Sequence, residues 1–481
     1  KTAKAIAEIA KSERGREKCT TTDLVTALMD LLKDDHIDVL TQTSRALGNI
    51  CYENGRNRKL SQALKQDTVP IICSILEIDG TTGGEAAMHA LLILGILDDA
   101  NIVFLDERLT KIFVDILASD TSLELSEMCL ELLYGQAEDE NVKLLLAKGG
   151  VCELLLKLLE KHSPYCTDEE TRSGLKIACN LIVCIITGDK SMNSLYNNSN
   201  GVVYKTLVQW LESEDKDLQI TAVLAMGNFA RSDAHCKLMV AQGVHCNLLR
   251  LLRNNSTNTA DIRFQHALLS ALRNLVIPSD NKSVILKDGL IDVLYSMLDI
   301  PSYSVIFKLL GTLRIVIDGQ RKIAFHKKTD LIKKTVEWCN VEDHSGVQGE
   351  ANRLIAWLIT NNRSLYFSNL LYLYLYFSLP WNKEIALLML QHGAVAHLVK
   401  MLISQHVRMQ NEALISLIIL TTTCLKECER PLVEADIGEK LCRFFDAANS
   451  PEAPILHNVL SLLETITESG TLNYISFAVL V

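Results

Sequence analysis

Glycine and proline are scarce in this chain, with 23 and 8 among 481 residues. These two residues supply most tight turns, so their scarcity argues against β-sandwiches and against folds in which strands alternate with helices. Aromatic residues are also few, at 6%. Hydrophobic residues nevertheless make up 48% of the chain. That fraction is ample for a folded core and excludes disorder for most of the sequence.

The motifs of common catalytic and cofactor sites are missing. There is no His-Glu-x-x-His and no Gly-x-Ser-x-Gly, and Gly346-Val-Gln-Gly349 falls short of a phosphate-binding Gly-x-Gly-x-x-Gly. The 14 cysteines form no Cys-x-x-Cys pair, and Cys424 and Cys428 lack partners at metal-ligand spacing. We therefore expect buried thiols in a reducing compartment, no metal, no cofactor and no enzyme with covalent chemistry of its own.

Acidic residues outnumber basic ones, 58 to 48, which gives a net charge of −10. This balance argues against nucleic-acid binding, which needs a basic face, and favours a basic partner. The uncharged stretch Ser364–Trp381 approaches the length of a membrane span. We interpret it as an apolar insertion and expect no membrane insertion, because a span there would split a repeat array across a bilayer.

Internal repetition is the dominant signal. One phrase, a short apolar helix with a glycine followed by a second apolar helix, recurs at Leu145–Leu159, Leu238–Leu252, Val284–Leu298 and Leu388–Leu402. A longer apolar helix follows it, often with a small residue before Asn, as in Ser44–Ile50, Leu224–Ala230 and Ser270–Leu275. We expect the phrase glycines, Gly149, Gly243 and Gly289 among them, to end a helix in the left-handed conformation.

The repeat period of about 46 residues is typical of armadillo and HEAT arrays, and three helices with a glycine hinge favour armadillo. We therefore predict an all-α fold, an armadillo-repeat right-handed superhelical solenoid. A single array is expected over 1–481, with a partial first repeat and about ten more, an insertion at 364–381 and an atypical terminus at 473–481. The chain begins at Lys1 without methionine and ends without a polar cap, so we expect truncated ends.

An ordered set of phrases resembles the SmgGDS family, the armadillo-type GDP dissociation stimulators of small GTPases. The matching stretches are Gln42–Tyr52, Gly188–Met192, Gly227–Cys236, His266–Pro278, Phe307–Arg314, Val336–Cys339, Asp343–Leu354 and Met409–Leu414. The resemblance implies an atypical guanine-nucleotide exchange factor and chaperone for GTPases of the Rho, Rac, Rap and Ras types. It also implies recognition of their polybasic, prenylated tails and location in the cytosol, with endoplasmic-reticulum or nuclear pools. The spacing of the long helices is similar to that of the family's shorter form.

Three sets of candidate site residues follow from this interpretation. A GTPase-binding groove along the third helices is predicted at Asn49, Asn228, Arg231, Arg273, Asn274, Glu350, Asn352, Asn411 and Glu412. An acidic patch for the polybasic tail is predicted at Glu138, Asp139, Glu140, Glu342 and Asp343. A prenyl slot is predicted at Met88, Leu91, Gly95, Cys129 and Leu133. Each set has a plainer interpretation: backbone-bonded asparagines, solvated helix ends and core packing.

The alternative function is an armadillo scaffold or transport adaptor without exchange activity. Import adaptors of the armadillo type carry Trp four residues before the asparagine of each third helix. Here Arg45, Leu224, Ser270, Gln348 and Val407 occupy those positions. Catenin-like grooves are basic, whereas this chain is acidic, so both alternatives are weakened.

Overall fold

A computed structural model of the chain describes residues 1–34, 36–51, 69–82, 84–99, 101–166, 168–169, 171–317, 328–341, 343–359, 383–447 and 453–467. These ranges contain helices and no β-strand. The predicted insertion at 364–381, the predicted atypical terminus at 473–481 and Glu342 lie outside them. The all-α prediction is therefore confirmed over the described chain.

The chain divides into two compact units, Lys1–Phe229 and Ala230–Val481. The single array predicted over 1–481 stays a prediction. Besides a helical stretch over 69–79, the helices of unit 1 are α1 (Thr2–Ile9), α2 (Glu13–Cys19), α3 (Thr22–Leu31), α4 (Ile37–Cys51), α5 (Glu85–Asp99), α6 (Glu107–Ala118), α7 (Leu123–Gln136), α8 (Glu140–Lys148), α9 (Val151–His162), α10 (Thr171–Thr187), α11 (Asp189–Tyr196), α12 (Val202–Trp210) and α13 (Lys216–Phe229).

Unit 2 continues the same pattern. Its helices are α14 (Asp233–Ala241), α15 (Val244–Asn254), α16 (Ile262–Leu275), α17 (Ser279–Lys287), α18 (Leu290–Ser296), α19 (Tyr303–Ile317), α20 (Lys328–Cys339), α21 (Ser345–Ile359), α22 (Lys383–Gln391), α23 (Ala394–Met401), α24 (Val407–Glu434), α25 (Ile437–Ala447) and α26 (Ala453–Thr467). Within α24, Cys424 has non-helical backbone angles, φ −143° and ψ 52°, and marks a kink.

The repeating element is a triplet of helices with a sharp turn between the first and the second. In unit 2 the first triplet is α14, α15 and α16, and the second is α17, α18 and α19. Gly243 and Gly289 form these turns with φ of +80° and +93°, a left-handed conformation that glycine adopts without steric cost. Gly150 does the same between α8 and α9, with φ +76°. The prediction for Gly149 was wrong by one residue, since its φ is −73°.

The longest helix of each triplet, the third, is buried along much of its length. In α13, Met226 and Phe229 are fully buried, and Phe229 packs against Tyr204 with ring centroids 5.3 Å apart. Tyr196 stands edge-on to Tyr204 at 4.7 Å. Because each triplet buries its apolar face against its neighbours, this is the armadillo arrangement expected from the repeats.

Thiol burial agrees with the sequence interpretation. The described cysteine side chains are all free, nine of them buried, three intermediate and only Cys246 exposed.

None of the helices in the described part of the chain combines the length and the apolar run that are needed to cross a bilayer.

Candidate functional site

The third helices of successive triplets in unit 2 pack side by side, α16 on α19, α19 on α21 and α21 on α24. The first of them, α16, is preceded by the N-cap residue Asp261, whose carboxylate accepts hydrogen bonds from the backbone N–H groups of Arg263 and Phe264 at 2.7 and 3.0 Å. Such a cap satisfies donors that the first turn leaves unpaired. The predicted groove residues of unit 2 on these helices are Arg273, Asn274, Glu350, Asn352, Asn411 and Glu412.

Six charged side chains lie on these helices, four of them linked by ion pairs, and we call the set the charged ladder. Its members are Arg273, Lys308, Arg314, Glu350, Arg353 and Glu412. Glu350 is the centre: Oε2 accepts from Arg314 Nε at 3.0 Å, and Oε1 accepts from Arg353 Nη1 at 2.6 Å. Arg353 Nε also donates to Glu412. Three helices are thereby joined by ion pairs.

Burial sets the electrostatics of the charged ladder. The Glu350 side chain is only 8% exposed, and that of Arg353 is 24% exposed. Burial by itself would lower the pKa of the Arg353 guanidinium, but the carboxylates of Glu412 and Glu350 raise it above its ordinary value. These charges are held in place by paired partners, as half-buried ions require.

At the α16–α19 end of the charged ladder, the positive charges are less well neutralised by carboxylates. Burial and the nearby Arg273 charge lower the pKa of Lys308. The buried Arg273 Nε has no hydrogen-bond partner among the described residues. Gly311 lies between Arg273 and Glu350, since a Cβ added at Gly311 would be 3.6 Å from Arg273 Nε and 3.9 Å from Glu350 Oε2. Two cations in one half-buried place favour an anionic partner group.

Exposed aromatic side chains lie on α19, the helix that carries Lys308. Tyr303 and Phe307 are each 37% exposed although they are large and apolar. The His344 ring packs beside them, with centroid distances of 5.6 Å to Tyr303 and 6.5 Å to Phe307. Aromatic and arginine side chains together are the usual anchors of protein–protein interfaces.

Sequence reasoning identified three members of the charged ladder and missed Lys308, Arg314 and Arg353. Arg353 lies one turn after the predicted Glu350 on α21, whereas Lys308 and Arg314 lie on α19, a third helix on which no groove residue was predicted. The face therefore carries four cations and two carboxylates in the charged ladder, although the net charge of the chain is −10. Helical spacing from Glu350 to Arg353 was the available signal, because residues three apart share a helix face.

The predicted asparagines are mostly engaged inside the fold. Asn49 Nδ2 donates to the Ala7 carbonyl at 2.9 Å, and Asn228 Nδ2 donates to the Leu224 carbonyl at 3.1 Å. Asn411 Oδ1 accepts from Asn458 Nδ2 at 2.7 Å. Their amides satisfy neighbouring groups of the array, which is the plainer interpretation.

Two further asparagines and one arginine complete this set. Asn352 is fully buried, and its amide contacts Met401 and accepts from the Cys339 thiol at 3.6 Å. The Asn274 carbonyl accepts from the Cys236 thiol at 3.5 Å. Arg231 is exposed at the start of unit 2. Of the charged members of the predicted groove, the structure joins Glu350 and Glu412 through Arg353 and places Arg273 near Glu350, whereas Arg231 lies apart from them in the sequence, on no third helix.

The predicted acidic patch is partly a helix start. Asp139 caps α8 by accepting from the N–H groups of Asn141 and Val142, and Glu140 pairs with Lys143 at 2.6 Å. Glu138 is exposed, and its charge helps to raise the pKa of half-buried Asp98, for which burial is the larger cause. Asp343 is exposed in unit 2, and Glu342 is not described.

An acidic cleft that the predicted patch did not include lies elsewhere in unit 1. Its volume is about 580 Å³, and its lining includes Glu160, Trp210, Glu212, Glu214 and Asp215. Trp210 Nε1 donates to Glu160 Oε1 at 2.9 Å, which fixes the indole as one wall. The cleft thus combines several carboxylates, of which Asp215 is paired with Arg172 at 2.9 Å, with the largely buried indole of Trp210.

The predicted prenyl slot is closed packing. Leu91, Cys129 and Leu133 are 1%, 0% and 0% exposed, on α5 and α7, and burial raises the pKa of the Cys129 thiol to about 12. Met88 is half-buried, and a Cβ added at Gly95 meets no atom within 4 Å. The slot can exist only if α5 and α7 separate.

Comparison with known proteins gives relatives over nearly the whole chain. No protein-family model matches it. The chain is 36% identical to the GTPase-GDP dissociation stimulator vimar of Drosophila melanogaster, over 96% of this chain and 86% of vimar. It is 31% identical to the Rap1 GTPase-GDP dissociation stimulator 1-B of Xenopus laevis, over 98% of this chain and 83% of that protein.

Solved structures resemble the chain in fold alone. An engineered protein is 21% identical, with a TM-score of 0.55 over 97% of this chain and 94% of its own. A chain solved in a study of the interaction between cadherin and β-catenin is 13% identical, also with a TM-score of 0.55, over 96% and 90%. The two curated relatives, in contrast, share sequence with the chain over most of their length. On that ground the chain belongs to the SmgGDS family of small-GTPase GDP dissociation stimulators.

Proposed function

We propose that this chain binds small GTPases and stimulates their release of GDP, as a guanine-nucleotide exchange factor without covalent chemistry. The observation that carries the proposal is the 36% identity, over nearly the whole chain, to a GTPase-GDP dissociation stimulator. The charged ladder with its adjoining aromatic surface is the binding face that we assign to it. This function is preferred to a scaffold or adaptor because both curated relatives are dissociation stimulators.

The mechanism needs only a difference in affinity. A protein that binds the nucleotide-free GTPase more tightly than the GDP-bound form must weaken GDP binding by the same factor, since coupling between two ligands is reciprocal. A tenfold preference corresponds to about 1.4 kcal/mol. Lys308 and Arg273 supply this difference by pairing with GTPase carboxylates that become accessible when the nucleotide leaves.

The proposal extends to the tail of the GTPase. Polybasic tails of Rho, Rac, Rap and Ras types would meet carboxylates of unit 1, at Glu138 with its neighbours Asp98 and Asp99 or in the cleft beside Trp210. Summed over many charges, such a field can raise association rates roughly 10- to 1000-fold at low salt. The prenyl group would enter between α5 and α7, and the chain would act in the cytosol.

Affinity measurements on both nucleotide states test the binding face. The variant is the double change Arg273→Gln and Lys308→Gln, and the control is Lys287→Gln, an exposed lysine on a first helix, α17. We expect the double variant to bind a nucleotide-free Rap-type GTPase about tenfold more weakly, a loss of about 1.4 kcal/mol, and the control to bind like the unmodified chain. Equal affinity of all three proteins for the GTPase would show that the charged ladder is not part of the interface.

A further inference from the structure

Three side chains of types that bind transition metals lie together at one junction between repeats of unit 2. His245 and Cys246 are at the start of α15, and Asp288 follows the end of α17. His245 Nε2 is 2.8 Å from Asp288 Oδ2 and 3.4 Å from Cys246 Sγ, and the sulfur is 4.0 Å from the carboxylate oxygen. A nitrogen, a sulfur and an oxygen ligand thus face a common point.

The left-handed glycine turns of two successive triplets bring these residues together. Gly243 precedes His245 by two residues, and Gly289 directly follows Asp288. The other left-handed glycines of the described chain are followed by Val-Cys-Glu at Gly150, Leu-Ile-Asp at Gly289 and Ala-Val-Ala at Gly393. No histidine stands in those places, so the cluster belongs to this single junction and is not a feature of every repeat.

A hydrogen bond between His245 and Asp288 would explain two members of the cluster as an ordinary link between repeats. It does not explain the thiol. Cys246 is the exposed one among the described cysteine side chains, whereas most of the others are buried in the core. His245 itself is 3% exposed, so its ring is held rigidly with Nε2 directed at the other two groups. A rigid imidazole beside an accessible thiol and carboxylate suits a borderline-soft cation.

The distances fit zinc after a small adjustment. Tetrahedral zinc sites have Zn–S near 2.3 Å and Zn–N or Zn–O near 2.0–2.2 Å, which places their donor atoms roughly 3.3–3.7 Å apart. The sulfur–nitrogen distance of 3.4 Å is within this range, and the other two lie on either side of it. Asp288 is 42% exposed and free to move outward by the few tenths of an ångström required.

We propose that His245, Cys246 and Asp288 form a zinc-binding site that joins two repeats. The metal takes His245 Nε2, the Cys246 thiolate and one Asp288 oxygen, and the fourth position is open to water. Binding releases the thiol proton to solvent, because the ligand is the thiolate. His245 Nδ1 is buried with no partner among the described residues, so the site lacks the usual outer hydrogen bond. We therefore expect weaker binding than at four-ligand structural sites.

Zinc titration of the full chain tests the site. Chelator-treated protein is titrated with Zn²⁺ against a chromophoric chelator, and with Co²⁺ to detect thiolate-to-cobalt absorption. The variants are Cys246→Ser and Asp288→Asn, both at exposed positions, with far-ultraviolet circular dichroism to confirm folding. Cys166→Ser is the matched control, since Cys166 belongs to no cluster of three metal-binding side chains among the described residues.

One equivalent of zinc is expected in the unmodified chain and in the Cys166 control. Each site variant should bind at least about tenfold more weakly, because loss of even an outer-sphere partner costs roughly 10- to 100-fold. Cobalt absorption should disappear in Cys246→Ser alone among the cysteine variants. Absence of binding at micromolar zinc, or binding that both site variants retain, would overturn the proposal.

Discussion

At the scale of single residues, glycine has two distinct roles in this chain. Gly150 adopts φ +76° in the turn between α8 and α9, where no neighbouring atom lies within 4 Å of an added Cβ. Gly48 lies inside α4, also without a neighbour within 4 Å. Space is available at both positions, so backbone conformation alone decides the effect of a side chain.

Alanine substitutions should therefore have opposite effects in unit 1. Gly150→Ala should destabilise the chain by about 1–2 kcal/mol, because a left-handed alanine is strained. Gly48→Ala should stabilise it by about 0.5–1 kcal/mol, since alanine is the better helix former. Urea unfolding followed by circular dichroism measures both. Loss of stability in Gly48→Ala, or none in Gly150→Ala, would contradict the backbone account.

Glu350 is the residue on which the charged ladder depends. Glu350→Gln should destabilise the chain by about 1–3 kcal/mol, because half-buried Arg314 and Arg353 lose a charged hydrogen-bond partner. The control is Glu434→Gln, which breaks an ion pair with Arg430 whose side chains are 60% and 87% exposed. That pair should contribute nothing measurable to the urea midpoint. Equal effects of the two changes would show that burial does not strengthen the ladder.

At the scale of helices, the sequence predicts the elements better than their contacts. The glycine phrase and the helical period predicted the third helices, and α4, α13 and α16 lie where those phrases stand. The uses of Asn49 and Asn352 could not be predicted, because they depend on which carbonyl or sulfur the neighbouring helix presents. For the acidic run at 138–140, the plainer interpretation as a helix end was available from the sequence, and Asp139 is indeed the N-cap of α8.

Asp98 links two third helices and predicts a pH effect. Its Oδ1 accepts from Gln136 Nε2 at 2.7 Å, and burial, with the charges of Asp99 and Glu138, raises its pKa above the ordinary 3.8. A carboxyl with a raised folded-state pKa stabilises the fold below its unfolded pKa, and this stability is lost as pH rises through the raised value.

Asp98→Asn keeps an acceptor for Gln136 and removes the ionisation. We expect the variant to gain stability over the unmodified chain at neutral pH and to lose that advantage near about pH 4. Thermal unfolding at several pH values measures the difference. An equal gain in stability at neutral and at acidic pH would show that the effect does not come from Asp98 ionisation.

At the scale of the whole molecule, the internal repeats predicted the fold class, but composition did not predict the charge of the proposed binding face. The net charge of −10 is an average over the chain, whereas the charged ladder gathers four cations from three helices. Its members come from different repeats, and so do His245 and Asp288, which are far apart in the sequence. A single sequence shows which residues repeat, but packing between repeats decides which of them meet.

The central claim is that the chain speeds GDP release, and release of fluorescent GDP from a small GTPase tests it most directly. The assay compares a Rap-type GTPase with and without its basic tail, at low and moderate salt. We predict that GDP release is faster in the presence of the chain and that the acceleration is larger when the GTPase has its tail. The effect of the tail should be smaller at higher salt, because screening reduces the range of the electrostatic attraction. Release that is unchanged by saturating amounts of the chain would contradict the account.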